Sequence, residues 1–219
     1  MATQAVLAEL ASLYQAHAGH PVAIQSIGGL DAARRVQAGE AFDLVVLASE
    51  AIDRLMASDH LVAGSKVDLA RSAVAVAVRA GDPKPDIASE DACRRAVQAA
   101  RTVGCSTGPS GVALATLFER WGITGDIRDR VVTAPPGVPV GALVARGDVA
   151  LGFQQLSELI HIAGIEVVGP LPAGIQIVTT FSGALGRRGR HPDEAAALLA
   201  FMASPAAAAA KRRQGMEPA

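Results

Sequence analysis

Three stretches of this 219-residue chain place small residues where a strand gives way to a helix. They are Ser26-Ile27-Gly28-Gly29, Gly108-Pro109-Ser110-Gly111 and Pro136-Gly137-Val138-Pro139-Val140-Gly141. The start of a helix leaves several N–H groups without intrahelical partners. Those donors, added to the helix dipole, attract an anion. Glycine lets a ligand come close to the backbone, and Pro109 suits a first helical position because its missing N–H costs nothing there. The candidate anion-binding residues are therefore Ser26, Gly28, Gly29, Pro109, Ser110, Gly111, Val138, Pro139 and Val140. None of the three stretches contains Lys or Arg, so capture would rest on neutral dipoles. Taken singly, each is equally an ordinary βα turn. Three of them facing one cleft would be a different matter.

Gln154 and Gln155 add side-chain donors at the end of a strand run. Gln155 reads equally as a donor to a bound oxygen and as a cap on the helix that follows it. Gln154, next to it, is expected to point the other way. Other chemistry is sparse. The five histidines (17, 20, 60, 161 and 191) have no carboxylate at metal-ligand spacing, and His161 reads as a surface or packed residue. Cys93 and Cys105 lack the spacing of a zinc site and read as two small buried thiols. No metal and no cofactor is expected. There is no G-x-S-x-G elbow, Walker loop or GxGxxG, which argues against serine-hydrolase, nucleotide and dinucleotide chemistry.

The elements that must position these residues alternate along the chain. Apolar spacing predicts helices at 4–17, 30–38, 90–101, 140–146 and 193–203. Strands are expected at 22–26, 43–49, 73–79, 102–105, 131–134, 150–154, 165–169 and 175–185. The 43–49 run reads as buried on both faces, as in a parallel sheet. The alternation predicts an α/β fold with mainly parallel sheets. Two long strands look like crossovers between lobes. One lobe would combine 1–78 with 181–219 and the other would span 82–175, with hinges near 79–81 and 176–180.

Composition narrows the function. Half the residues are hydrophobic, enough for a sizeable core. Twenty basic residues against twenty-one acidic ones leave a net charge of −1, which argues against a nucleic-acid partner. Aromatic residues make up 3% of the chain, so stacking platforms for bases are scarce. No run of eighteen apolar residues is present. The first residues show no basic region followed by an apolar run, so the chain as written predicts a cytoplasmic protein, or a periplasmic one if a signal precedes it.

Several stretches together resemble a known family. They are Gln37-Ala38-Gly39 with Phe42 to Ala48, Gly108 to Val112, and Gly141-Ala142-Leu143-Val144 with Gly147, Leu151, Gly152 and Phe153. The tail, Phe201 to Ala207 with Lys211, Arg212, Gly215 and Met216, adds to the likeness. The chain resembles the periplasmic molybdate-binding proteins and other type 2 solute-binding proteins of ABC transporters. It departs from them in three places. The family's first strand is missing or lies upstream of the given start, its serine falling on Ala2; Gln155 stands where the family has Tyr; and the serine-rich second loop is Ser26 to Gly29.

The resemblance implies a two-lobed type 2 periplasmic-binding-protein fold with a two-strand hinge, closing on a small anionic ligand in the cleft. An oxyanion such as molybdate, or a small carboxylate, fits that implication. An ABC-transporter permease would be the partner if the protein is exported, and a monomer or weak dimer is expected. Relatives include an aconitate isomerase, which moves a proton on an unsaturated polycarboxylate. That chemistry needs a general base. Glu50 and Glu158, each just beyond a strand end, are the candidates, although both read first as exposed carboxylates in first helical turns.

Overall fold

Apolar periodicity and turn chemistry produce eighteen regular elements in the computed structural model, which describes residues 2–135 and 137–219. In chain order they are α1 (Gln4–Ala18), α2 (Gly29–Gln37), β1 (Leu44–Ala48), α3 (Ser49–Ala57) and β2 (Val67–Arg79). Then come α4 (Glu90–Ala99), β3 (Val103–Cys105), α5 (Pro109–Arg120), α6 (Thr124–Ile127), β4 (Val131–Thr133) and α7 (Val140–Arg146). The chain ends with β5 (Leu151–Gln155), α8 (Leu156–Leu159), β6 (Ile165–Pro170), β7 (Val178–Leu185), α9 (Pro192–Ala203), α10 (Ala208–Arg213) and β8 (Glu217–Pro218). Met1 and Pro136 lie outside the described residues, and Pro136 opens the third of the small-residue junctions. Among the described residues, no helix is long and apolar enough to cross a membrane.

The chain divides into two compact units, residues 1–72 with 179–219 and residues 73–178. In unit 1, β1 pairs antiparallel with β7, from Leu44 opposite Leu185 to Ala48 opposite Phe181. Its core gathers Val6, Leu10 and Tyr14 of α1 with Leu198, Leu199 and Met202 of α9. The Tyr14 and Phe201 rings lie 5.5 Å apart and join the two helices.

In unit 2, β3 pairs in parallel with both β4 and β5, and β2 runs antiparallel to β5 and β6. The core packs Val103, Leu114, Phe118, Leu151 and Phe153, with Phe118 edge-on to Phe153 at 6.2 Å. Glycines let α7 close on this sheet. A Cβ on Gly152 would stand 2.5 Å from Val144 Cγ2, and one on Gly104 would stand 2.7 Å from Val149 Cγ1.

Three expectations change. Residues 22–26 form no strand; the segment is mostly exposed, and no described strand supplies it with a ladder. The 43–49 run is not buried on both faces: β1 alternates buried and half-buried residues and pairs with an antiparallel strand. Parallel pairing, expected to prevail, joins β3 to β4 and β5, strands connected by helical crossovers, while β1–β7, β2–β5, β2–β6 and β2–β8 are antiparallel. Of the two cysteines, Cys93 is buried, but Cys105 at the end of β3 is half-buried. Burial raises both thiols, Cys93 to about 11.

Candidate functional site

Parallel strands end on the same side of a sheet, so β3, β4 and β5 bring three segments to one edge of unit 2. After β3 comes the loop to α5, with Ser110 and Gly111 buried and Pro109 exposed. After β4 comes the turn to α7, with Val138 and Pro139 half-buried and Val140 buried. At the end of β5 stand Gln154 and Gln155, only 3% and 4% exposed.

The loop before α5 is held by its own atoms. Ser106 Oγ accepts from the Gly108 N–H at 3.3 Å and lies 3.4 Å from Ser110 Oγ. The Gly111 and Val112 N–H groups both donate to the Gly108 carbonyl, at 3.0 and 3.2 Å. The Gly111 N–H, expected to serve a ligand, is thus engaged within the loop. The close approach that requires glycine at 111 is also internal, since a Cβ there would lie 1.8 Å from the Ser106 carbonyl oxygen. The loop's side-chain chemistry is the hydroxyl pair Ser106 and Ser110. Ser106 was not among the expected site residues; its signal is the Ser-Thr-Gly sequence, whose hydroxyl caps the amide two residues on.

Gln154 connects the other two segments. Its Oε1 accepts from the Gly141 N–H at the start of α7, at 3.4 Å. Its side chain also hydrogen-bonds the carboxyl of Glu158 in α8. Strand alternation puts Gln155 on the face of Leu151 and Phe153, which pack against Phe118 and Leu114 of α5, and Gln154 on the opposite face. The two amides diverge as expected, and it is Gln154 that caps a helix. Glu158 is half-buried, which corrects its reading as a simply exposed carboxylate. Burial raises its pKa above the ordinary value, against the opposing effect of the Gln154 hydrogen bond.

Unit 1 collects the remaining candidates. Gly28 and Gly29 begin α2, with Gly29 Cα within reach of Leu47 near the end of β1; a Cβ on Gly29 would meet Leu47 Cδ2 at 3.8 Å. Ser26 and Glu50 are exposed. Since Gly29 is helical and has room for a side chain, Gly29→Ala is expected to stabilise the protein by about 0.5–1 kcal/mol. Urea unfolding checks this, and a loss of stability would show that the glycine is needed for the fold.

Residues 1–217 match the family described as bacterial extracellular solute-binding protein. The chain belongs to that solute-binding family. An aconitate isomerase from Pseudomonas sp is 42% identical to this solute-binding protein over 185 residues, 84% of this chain and 70% of the relative. The periplasmic molybdate-binding protein of Azotobacter vinelandii superposes with a TM-score of 0.80 at 21% identity, covering 98% of this chain and 94% of that one. Peb3 of Campylobacter jejuni gives 0.72 at 14% identity, covering 99% and 96%. These neighbours place the solute-binding protein in the type 2 periplasmic-binding-protein fold.

Proposed function

We propose that this protein binds a small carboxylate anion at the carboxyl edge of β3, β4 and β5. The observation that carries this reading is the chemistry of that edge. Hydroxyls of Ser106 and Ser110 stand on the segment after β3 and the amide of Gln155 at the end of β5, Gln154 ties the start of α7 to that same strand, and residues 105–112, 133–141 and 151–159 contain no Lys or Arg. Neutral, preorganised donors hold an anion without the hydration that surrounds a salt bridge. Molybdate or another oxyanion is the competing ligand. As a solute-binding component the protein would deliver its ligand to an ABC-transporter permease outside the cytoplasm, in keeping with the extracellular description of its family.

Thermal unfolding with citrate, cis-aconitate, trans-aconitate, sulfate, molybdate and tungstate tests the reading. A tricarboxylate at about 100 times its Kd should add about 2.7 kcal/mol. Stabilisation by molybdate and tungstate alone would replace the carboxylate reading with an oxyanion one.

A second reading is favoured by Glu158 together with the aconitate isomerase relative. Here Glu158 removes a proton from the carbon beside the double bond of an unsaturated polycarboxylate and returns it at the other end of the allylic system. Its raised pKa makes it a stronger base than an exposed carboxylate. Gln154 holds the carboxyl in place. Glu50, exposed on α3, has no such support. Deuterium incorporation into aconitate in deuterated water is the direct assay.

A further inference from the structure

We propose that unit 1 carries a second anion site, held by Arg187 and Arg188, for a small ligand bearing a carboxylate or phosphate group. The site is a cavity of about 290 Å³ where β7 ends and β1 begins. It is independent of the edge described in unit 2.

The loop after β7 reads Gly186-Arg187-Arg188-Gly189-Arg190, three arginines in five residues of a chain whose net charge is −1. The backbone fixes this loop. Gly186 N–H donates to the Asp43 carbonyl at 3.0 Å, and Arg187 N–H donates to the His60 carbonyl at 3.1 Å. The Asp43 carboxylate accepts the N–H groups of Arg190 and His191. Glycine is required at 186, where a Cβ would lie 1.8 Å from the Phe42 carbonyl oxygen. Across the cavity, Gly39 adopts φ +84°, and its missing side chain leaves the place where the Arg188 guanidinium lies. Arg188 Nη1 donates to the Gly39 carbonyl at 3.0 Å, which holds the fork against the wall.

The acidic groups nearby leave this positive charge largely available. Glu40 is already bonded to Arg35, through Nε at 2.6 Å and through Nη2. Asp59 approaches Arg187 at 3.6 Å, with both side chains more than half exposed, an open pair that an incoming anion can replace. A planar guanidinium offers paired donors that match carboxylate and phosphate oxygens. Two of them, one pinned and one in an open pair, face a cavity whose floor includes Val36, Phe42 and Val45.

The test is NMR titration of the whole 15N-labelled protein with citrate and, in a second arm, with inorganic phosphate. Saturable shifts are expected at Asp59, His60 and Gly186 to Gly189 with at least one of the two anions; which arm responds identifies the group. Arg187→Ser with Arg188→Ser should raise the half-saturation concentration about tenfold or more. Arg187→Lys with Arg188→Lys keeps the charge and guards against misfolding of the serine variant; it too should bind more weakly. The proposal is overturned if neither anion moves these amides, or if both folded variants saturate as the wild type does. Shifts at 106–111 and 154–158 report unit 2 separately, so failure of either site is read on its own.

Discussion

Replacing Glu158 by Gln is expected to lower proton exchange into aconitate by about 100- to 10,000-fold, the loss that follows removal of a general base. The same change should make the protein more stable at neutral pH. Burial holds the Glu158 carboxyl above its ordinary value of 4.5, so the folded state disfavours the ionised form. Below that ordinary value the residue is protonated in both folded and unfolded states, and ionisation costs the fold nothing. As pH rises through the higher folded value, the cost appears and persists. Gln carries no charge and still accepts the Gln154 hydrogen bond. Its advantage over the wild type should therefore be absent in acid and present at pH 7. Urea unfolding at the two pH values measures stability, and deuterium uptake measures exchange. If the wild type shows no exchange, the isomerase reading falls and the binding reading stands. If exchange survives in the variant, another group carries the proton.

The largest loss of stability is expected from Gly111→Ala. The new methyl would sit 1.8 Å from the Ser106 carbonyl oxygen, and that obstacle is backbone, so no rotamer change relieves it. The start of α5 must shift away from the end of β3, at a cost of about 3 kcal/mol, the upper end of ordinary overpacking. Because Ser106 and Ser110 belong to the same turn, ligand-induced stabilisation should fall with it. Val112→Ala, one residue along and 65% exposed, should change stability by no more than about 0.5 kcal/mol. Equal melting of the two variants would show that the loop adapts and that the glycine is dispensable.

The candidate site was legible where neighbouring residues decide it. Small residues after an apolar run mark a strand giving way to a helix, and that pattern located both turns of unit 2; at Gly28-Gly29 it marked the start of α2 but not a strand before it. The same pattern did not show how each donor is used. Gly111 N–H serves Gly108, and Gly141 N–H serves Gln154, whose partner in the chain lies thirteen residues away. Glu158 carried no signal beyond its place after a strand. Its half-burial comes with the packing of α8 against β5 and α7.

Turn chemistry and apolar spacing act between residues a few positions apart, so the sequence by itself determined most of the helices and strands, the α/β class and the neutral, cation-free character of the unit 2 turns. Only the tertiary structure decided strand partners, burial and the engagement of each hydrogen-bond donor. β1 took an antiparallel neighbour from Phe181–Leu185, and residues 22–26 remained outside any sheet, because a ladder depends on what another part of the chain brings alongside. The arginine loop after β7 likewise became a candidate site only once Asp43, His60 and Gly39, distant in the chain, held it over a cavity.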